Sequence, residues 1–117
     1  MRIGDLARET GVSPRLLRYY EEQGLLTAYR NGRGHRRYAA DAPVVVAHIR
    51  SLLAAGLPTS VIRELLPCVK GPGPALEHCA APTLRKRLDE LDSRIATLQQ
   101  ARSALTHLLA ATSGAEV

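Results

Sequence analysis

The apolar residues Leu84, Leu88, Leu91, Ile95, Leu98, Leu105 and Leu109 fall at alternating steps of four and three, with Arg102 in the one position that breaks the series. That spacing predicts a single helix over 83–111, capped by Thr83, with one narrow apolar stripe through nearly four heptads. Left alone, such a stripe would stand in water. The N-terminal part can close around four helices of its own, so the stripe is expected to pair with a second copy rather than fold back on its own chain.

At 117 residues the chain fits one small domain with an appendage. Its apolar content comes from Ala, Leu and Val, without Phe or Trp, which favours helix. The net charge of +5 suits a polyanionic partner, and its distribution is more informative. Residues 1–38 carry eight arginines against four acidic residues, together with all four tyrosines, Tyr19, Tyr20, Tyr29 and Tyr38. Arginine interleaved with tyrosine is the mixture that contacts phosphate. There is no apolar run of about 20 residues to span a bilayer and no signal-peptide pattern, so no membrane association is expected and the compartment is expected to be the cytoplasm.

Ile3, Leu6 and Ala7 recur at helical spacing, and Gly11 can end that helix in a left-handed turn plugged by Val12. Ser13 can cap a second helix with Pro14 at its first position. There Leu16, Leu17 and Tyr20 are expected to face inward, and Arg15, Arg18 and Tyr19 outward. Helix, glycine turn and capped helix make a helix-turn-helix, whose second helix can enter the major groove of DNA.

Gly24 is expected to stop the second helix, with Leu25 and Leu26 returning to the core. The run from Tyr29 to Tyr38 has turn residues at its centre and Arg36, Arg37 and Tyr38 on its far side, which predicts a β-hairpin wing. Asp41 is expected to cap a third helix with Pro43 in its first turn and Val44, Val45, Ile49, Leu52 and Leu53 on its apolar face. After Gly56, Pro58 or Thr59 opens a fourth helix burying Val61, Ile62, Leu65 and Leu66. Four of the seven prolines lie between Pro67 and Pro82. The expected organisation is therefore a DNA-binding domain over 1–66, a linker over 67–82, the dimerisation helix over 83–111 and a tail over 112–117.

With these parts in order, the chain resembles the MerR family of bacterial transcriptional regulators. The matching blocks are Ile3-Gly4-Asp5-Leu6-Ala7, Gly11-Val12-Ser13, Leu17-Arg18-Tyr19-Tyr20-Glu21, Gly24-Leu25-Leu26, Arg36-Arg37-Tyr38 and Ile62-Arg63-Glu64-Leu65-Leu66. The resemblance implies a mainly α protein, a winged helix-turn-helix followed by a long antiparallel coiled-coil dimerisation helix. It also implies a homodimer on a pseudo-palindromic operator in double-stranded promoter DNA, which distorts the spacer and so acts on RNA polymerase indirectly. Carried over by position, Ser13, Arg15, Arg18 and Tyr19 of the second helix and Arg36, Arg37 and Tyr38 of the wing would contact DNA, the wing residues clamping phosphates.

Metal-sensing members of the family resemble this chain near Cys79 but complete their site with a cysteine-bearing loop after the dimer helix, and no such loop is expected here. Cys68, His78 and Cys79 are the candidate effector residues, although ten residues between the two cysteines is not a recognised zinc spacing. No cofactor is required by the sequence. Three readings of the cysteines stand open: an incidental pair, a thiol switch or disulfide, and metal binding across the dimer, which is not favoured. A small organic effector between linker and coil, lined by Leu76 and Leu84, is a further alternative. An enzyme is not expected, since no nucleophile, base and oxyanion donor assemble from these motifs. The rival function is an architectural or excisionase-like DNA-bending protein, which has no need of a long dimer helix.

Overall fold

The computed structural model describes residues 1–69 and 78–113. Its first corner is set by Gly11. Helix α1 (Ile3–Thr10) stops there because Gly11 turns left-handed at φ 70°, and its N–H donates to the Ala7 carbonyl at 2.9 Å. Thr10 braces the corner, its hydroxyl donating to the Leu6 carbonyl at 2.7 Å and accepting the Val12 N–H at 3.2 Å, and Val12 is buried. Helix α2 (Pro14–Glu22) begins at once: Ser13 Oγ accepts the Leu16 N–H at 3.2 Å, and Pro14 takes the first position. Leu17 and Tyr20 point into the core as expected. Leu16 does not; it lies on the flank of their line and is 39% exposed, on the same side as Arg15 and Tyr19.

The end of α2 is held from two directions. The Leu25 N–H reaches back to the Tyr20 carbonyl at 2.9 Å around Gly24, which sits at φ 74°. From the fourth helix, Arg63 Nε donates to the Gln23 carbonyl at 2.9 Å. A Cβ on Gly24 would meet that nitrogen at 3.0 Å, so glycine is needed here both for its backbone and for the space it leaves.

Strands β1 (Ala28–Arg30) and β2 (Arg36–Tyr38) pair antiparallel, with Ala28 opposite Tyr38 and Arg30 opposite Arg36. Asn31 shapes the loop between them, its Oδ1 accepting the N–H groups of Arg33 and His35 at 2.9 and 3.0 Å. Met1 exchanges two backbone hydrogen bonds with Tyr38, at 2.6 and 2.7 Å, and so lies along the wing.

Helix α3 (Ala42–Ala54) buries Val46, Ile49 and Leu52, while Val44, Val45 and Leu53 are half-buried at its edges. Asp41 does not cap it. Its backbone is helical at φ −86°, ψ 0°, its side chain makes no cap bond, and backbone bonds such as Ala42 N–H to the Ala39 carbonyl form the entry instead. His48, which the sequence pattern did not mark as core, is buried. Gly56 at φ 77° turns the chain, Leu57 fills the corner, and α4 (Thr59–Leu65) buries Ile62 and Leu65. In this bundle α1 packs on α2 and α3, α4 packs on α3, and β2 lies against α1.

Two short 3-10 turns, Leu66–Cys68 and His78–Ala80, follow, and a disulfide joins Cys68 to Cys79. Leu76 and the side chain of His78, both expected to have effector roles, lie outside the described residues, as do residues 114–117. The chain divides into two compact units, Met1–Ala80 and Ala81–Val117. The second is helix α5 (Ala81–Ser113), which starts two residues before the expected cap, so Thr83 is inside the helix. Pro82 explains the earlier start, because a first-turn residue needs no N–H. Along α5, Leu88, Ile95, Leu98, Leu105 and Leu109 are each more than half exposed.

Ile49 is fully buried in α3 and belongs to none of the expected DNA-contacting elements. Ile49→Ala should lower stability by about 2–5 kcal/mol, read as a shift of the urea midpoint with the helical circular dichroism of the folded state retained.

Candidate nucleic-acid interface

Because Leu17 and Tyr20 anchor α2, its other side is left to Arg15, Arg18 and Tyr19, all exposed. Ser13 is exposed beside them, but its Oγ is engaged in capping the helix. On the wing, Arg36 is exposed and Arg37 half-buried. Tyr38 departs from expectation. It is fully buried at the floor of the cleft between α2 and the wing rather than exposed on the wing, and its hydroxyl donates to Glu21 Oε1 at 2.8 Å. The period-two alternation of the strand accounts for this: the residue two along from Arg36 shares its face, and at the base of the hairpin that face meets the core.

Glu21 is the residue that sequence reasoning named only as part of a motif. It lies in the last turn of α2, and its second oxygen Oε2 stands 3.5 Å from Arg36 Nη1. One carboxylate thus ties both ends of β2 to the second helix. Burial, with the Glu21 carboxylate that accepts its proton, pushes the Tyr38 hydroxyl up to about 12. Burial also raises the Tyr20 hydroxyl.

Between α2 and the wing lies an open cleft of about 560 Å³ whose lining includes Arg2, Arg18, Arg30, Arg36, Arg37 and His35. No carboxylate is among its lining residues. Arg30 Nη1 donates to the Gly34 carbonyl at 2.8 Å and Arg37 Nη1 to the Arg36 carbonyl at 2.9 Å, which holds two of the guanidinium groups while leaving them further donors. Five guanidinium groups surround one cleft, and each has the fork of donors that matches phosphate oxygens. Arg2 and His35 were not among the expected contacts, whereas Arg30 belongs to the wing run whose arginines were expected to hold phosphates. Arg2 is distant from the wing in sequence and is brought there by the Met1–Tyr38 pairing. Arg15 and Tyr19 are not part of the cleft lining and belong to the exposed α2 face.

Among the described residues no three His, Cys, Asp or Glu side chains gather as a metal site. Cys68 and Cys79 are bonded to each other, and a disulfide sulfur is not the thiolate that binds metal.

Residues 1–67 match the MerR HTH family regulatory protein domain, and residues 45–108 match the MerR DNA-binding domain. The chain belongs to the MerR family. This MerR-family chain is 29% identical over 114 residues to the HTH-type transcriptional regulator HmrR of Rhizobium leguminosarum bv. viciae, covering 97% of this chain and 88% of that one. It is similar to the lead(II) complex of the transcription regulator PbrR691 from Ralstonia metallidurans CH34, with a TM-score of 0.64 and 25% identity over 93% of this chain and 81% of the other. It also shares the fold of HiNmlR, a MerR family regulator lacking the sensor domain and bound to promoter DNA, with a TM-score of 0.54 and 20% identity over 97% and 90% of the two chains. MerR-family proteins are DNA-binding regulators of transcription that work as dimers, and this chain is one of them. No helix among the described residues is long and apolar enough to cross a membrane.

The raised Tyr38 hydroxyl gives a pH dependence with a definite sign. Below the ordinary tyrosine value of 10.0 it is protonated whether the chain is folded or not. Between there and about 12 the unfolded chain releases its proton first, so stability falls as pH rises through that window. Tyr38→Phe should cost about 1–3 kcal/mol at neutral pH by removing a hydrogen bond to a charged group, and should flatten the alkaline slope. Urea midpoints of the two proteins across the window check both, and parallel slopes would refute the assignment.

Proposed function

We propose that the homodimer binds a pseudo-palindromic operator in promoter DNA, α2 of each protomer entering the major groove and each wing gripping the adjacent backbone, and that it deforms the promoter spacer so that RNA polymerase engages both promoter elements. The observation that carries this reading is the arginine cleft between α2 and a wing tied to it through Glu21. A phosphate held there fixes where α2 sits on the duplex without reading sequence, and base edges are left to Arg15, Arg18 and Tyr19. Exposed Leu16 adds an apolar group suited to a thymine methyl. Arg36 and Arg37 act on phosphates, with Arg2 and Arg30 beside them, and Tyr38 acts indirectly by fixing the wing. The exposed stripe of α5 favours a dimeric regulator over an excisionase-like DNA-bending protein, which has no use for it. The protein acts in the cytoplasm and has no catalytic role.

Selection of binding duplexes from a random-sequence pool tests the proposal, with a two-fold symmetric consensus as the expected product. On the selected duplex, Arg37→Ala should weaken binding to all sequence variants alike and reduce the log–log salt slope by about one. Arg15→Ala should instead cost about 1–3 kcal/mol at one base pair per half-site and relax the preference there. The reverse pattern would exchange the two roles, and failure to enrich any duplex would overturn the reading.

A further inference from the structure

The disulfide between Cys68 and Cys79 has no part in the DNA-binding face, yet its position is specific. Cys68 closes the 3-10 turn that continues α4 and is only 8% exposed, whereas Cys79 is exposed. The bond pins together the two 3-10 turns of the first unit, and Ala80, immediately after Cys79, is fully buried and is the last residue before α5. The same α4 carries Arg63, which caps the carbonyl end of α2 at Gln23. The cross-link therefore joins the element that braces α2 to the point where the chain leaves for the dimerisation helix.

We propose that Cys68–Cys79 is a reversible thiol–disulfide exchange site for low-molecular-weight thiols and their disulfides, and that its state sets the DNA affinity of the dimer. The asymmetry in exposure assigns the chemistry. A thiolate approaches Cys79 Sγ, the bond to Cys68 breaks, and the electron pair leaves on Cys68 Sγ, which takes up a proton. A second thiolate attacks the mixed disulfide on Cys79, releasing the small-molecule disulfide and a Cys79 thiolate that is protonated in turn. Two small thiols are oxidised and one protein disulfide is reduced to two thiols, and the small-molecule disulfide drives the reverse reaction. Reduction frees Cys79, just before α5, from the end of α4 and leaves the main chain as the one covalent connection between the two. The oxidised protein is the tighter DNA binder.

This inference rests on the regulator reading above, and its test separates the two. The full-length protein is equilibrated across a series of reduced and oxidised glutathione ratios, thiol content is read by alkylation and intact mass, and affinity for the duplex enriched from the random pool is measured by fluorescence anisotropy at each point. The expected result is a two-electron titration of one disulfide per chain with affinity falling about fivefold or more over the same midpoint. The double variant Cys68→Ser/Cys79→Ser should bind like the reduced protein at every ratio, its folding checked by thermal melting. If that variant does not fold, the reduced wild-type protein supplies the same comparison. Absence of DNA binding in both redox states would overturn the regulator reading. DNA binding that is equal in both states, or a disulfide that does not titrate with glutathione, would overturn the switch.

Discussion

The Glu21 carboxylate is the contact on which the DNA-binding geometry depends. A three-residue strand pair has little stability of its own, and a wing built on one needs an outside anchor to hold an angle. Tyr38 provides it by burying its ring completely and giving its hydroxyl to Glu21, while Arg36 approaches the other oxygen of the same group. The two contacts differ in strength. The Tyr38 bond is sheltered and made to an ionised acceptor, whereas the Arg36 pair is half in solvent and weak. A DNA phosphate can therefore compete for Arg36 while the wing stays in place.

The same separation of support from contact recurs at the other end of α2. Arg63 gives its guanidinium to the Gln23 carbonyl, and Gly24 leaves it the room to do so. With Ser13 capping one end and Arg63 the other, the helix that presents Arg15, Arg18 and Tyr19 is fixed at both termini by residues that need not touch DNA. Mutations at either end are thus expected to act through orientation.

The second unit has a different logic. Helix α5 carries leucines and an isoleucine that remain more than half exposed, at heptad spacing interrupted by Arg102. An apolar seam of that length is an association surface, and a dimer gives the two DNA-binding units the symmetry that a two-fold operator requires. The disulfide sits just before that helix begins, within the first unit.

Much of the fold was legible in local signals, because caps, glycine turns and helical periodicity act over a few residues. Gly11, Ser13 with Pro14, Gly56 and the heptads of α5 each specify their element without distant help. Where local signals misled, a tertiary or backbone constraint prevailed: Leu16 lies outward because the buried line of α2 passes through Leu17 and Tyr20, and Asp41 does not cap because its backbone is already helical. Tyr38 reads as a phosphate contact in an arginine-rich run, yet it is core, since exposure of a strand residue depends on what packs against its face. By itself the sequence determined the helices, the hairpin, the basic surface and the unpaired apolar stripe. Only the tertiary structure decided that Arg2 joins the wing arginines, that Glu21 holds the wing, and that Cys68 meets Cys79, because each of these joins residues whose separation along the chain no local pattern can span.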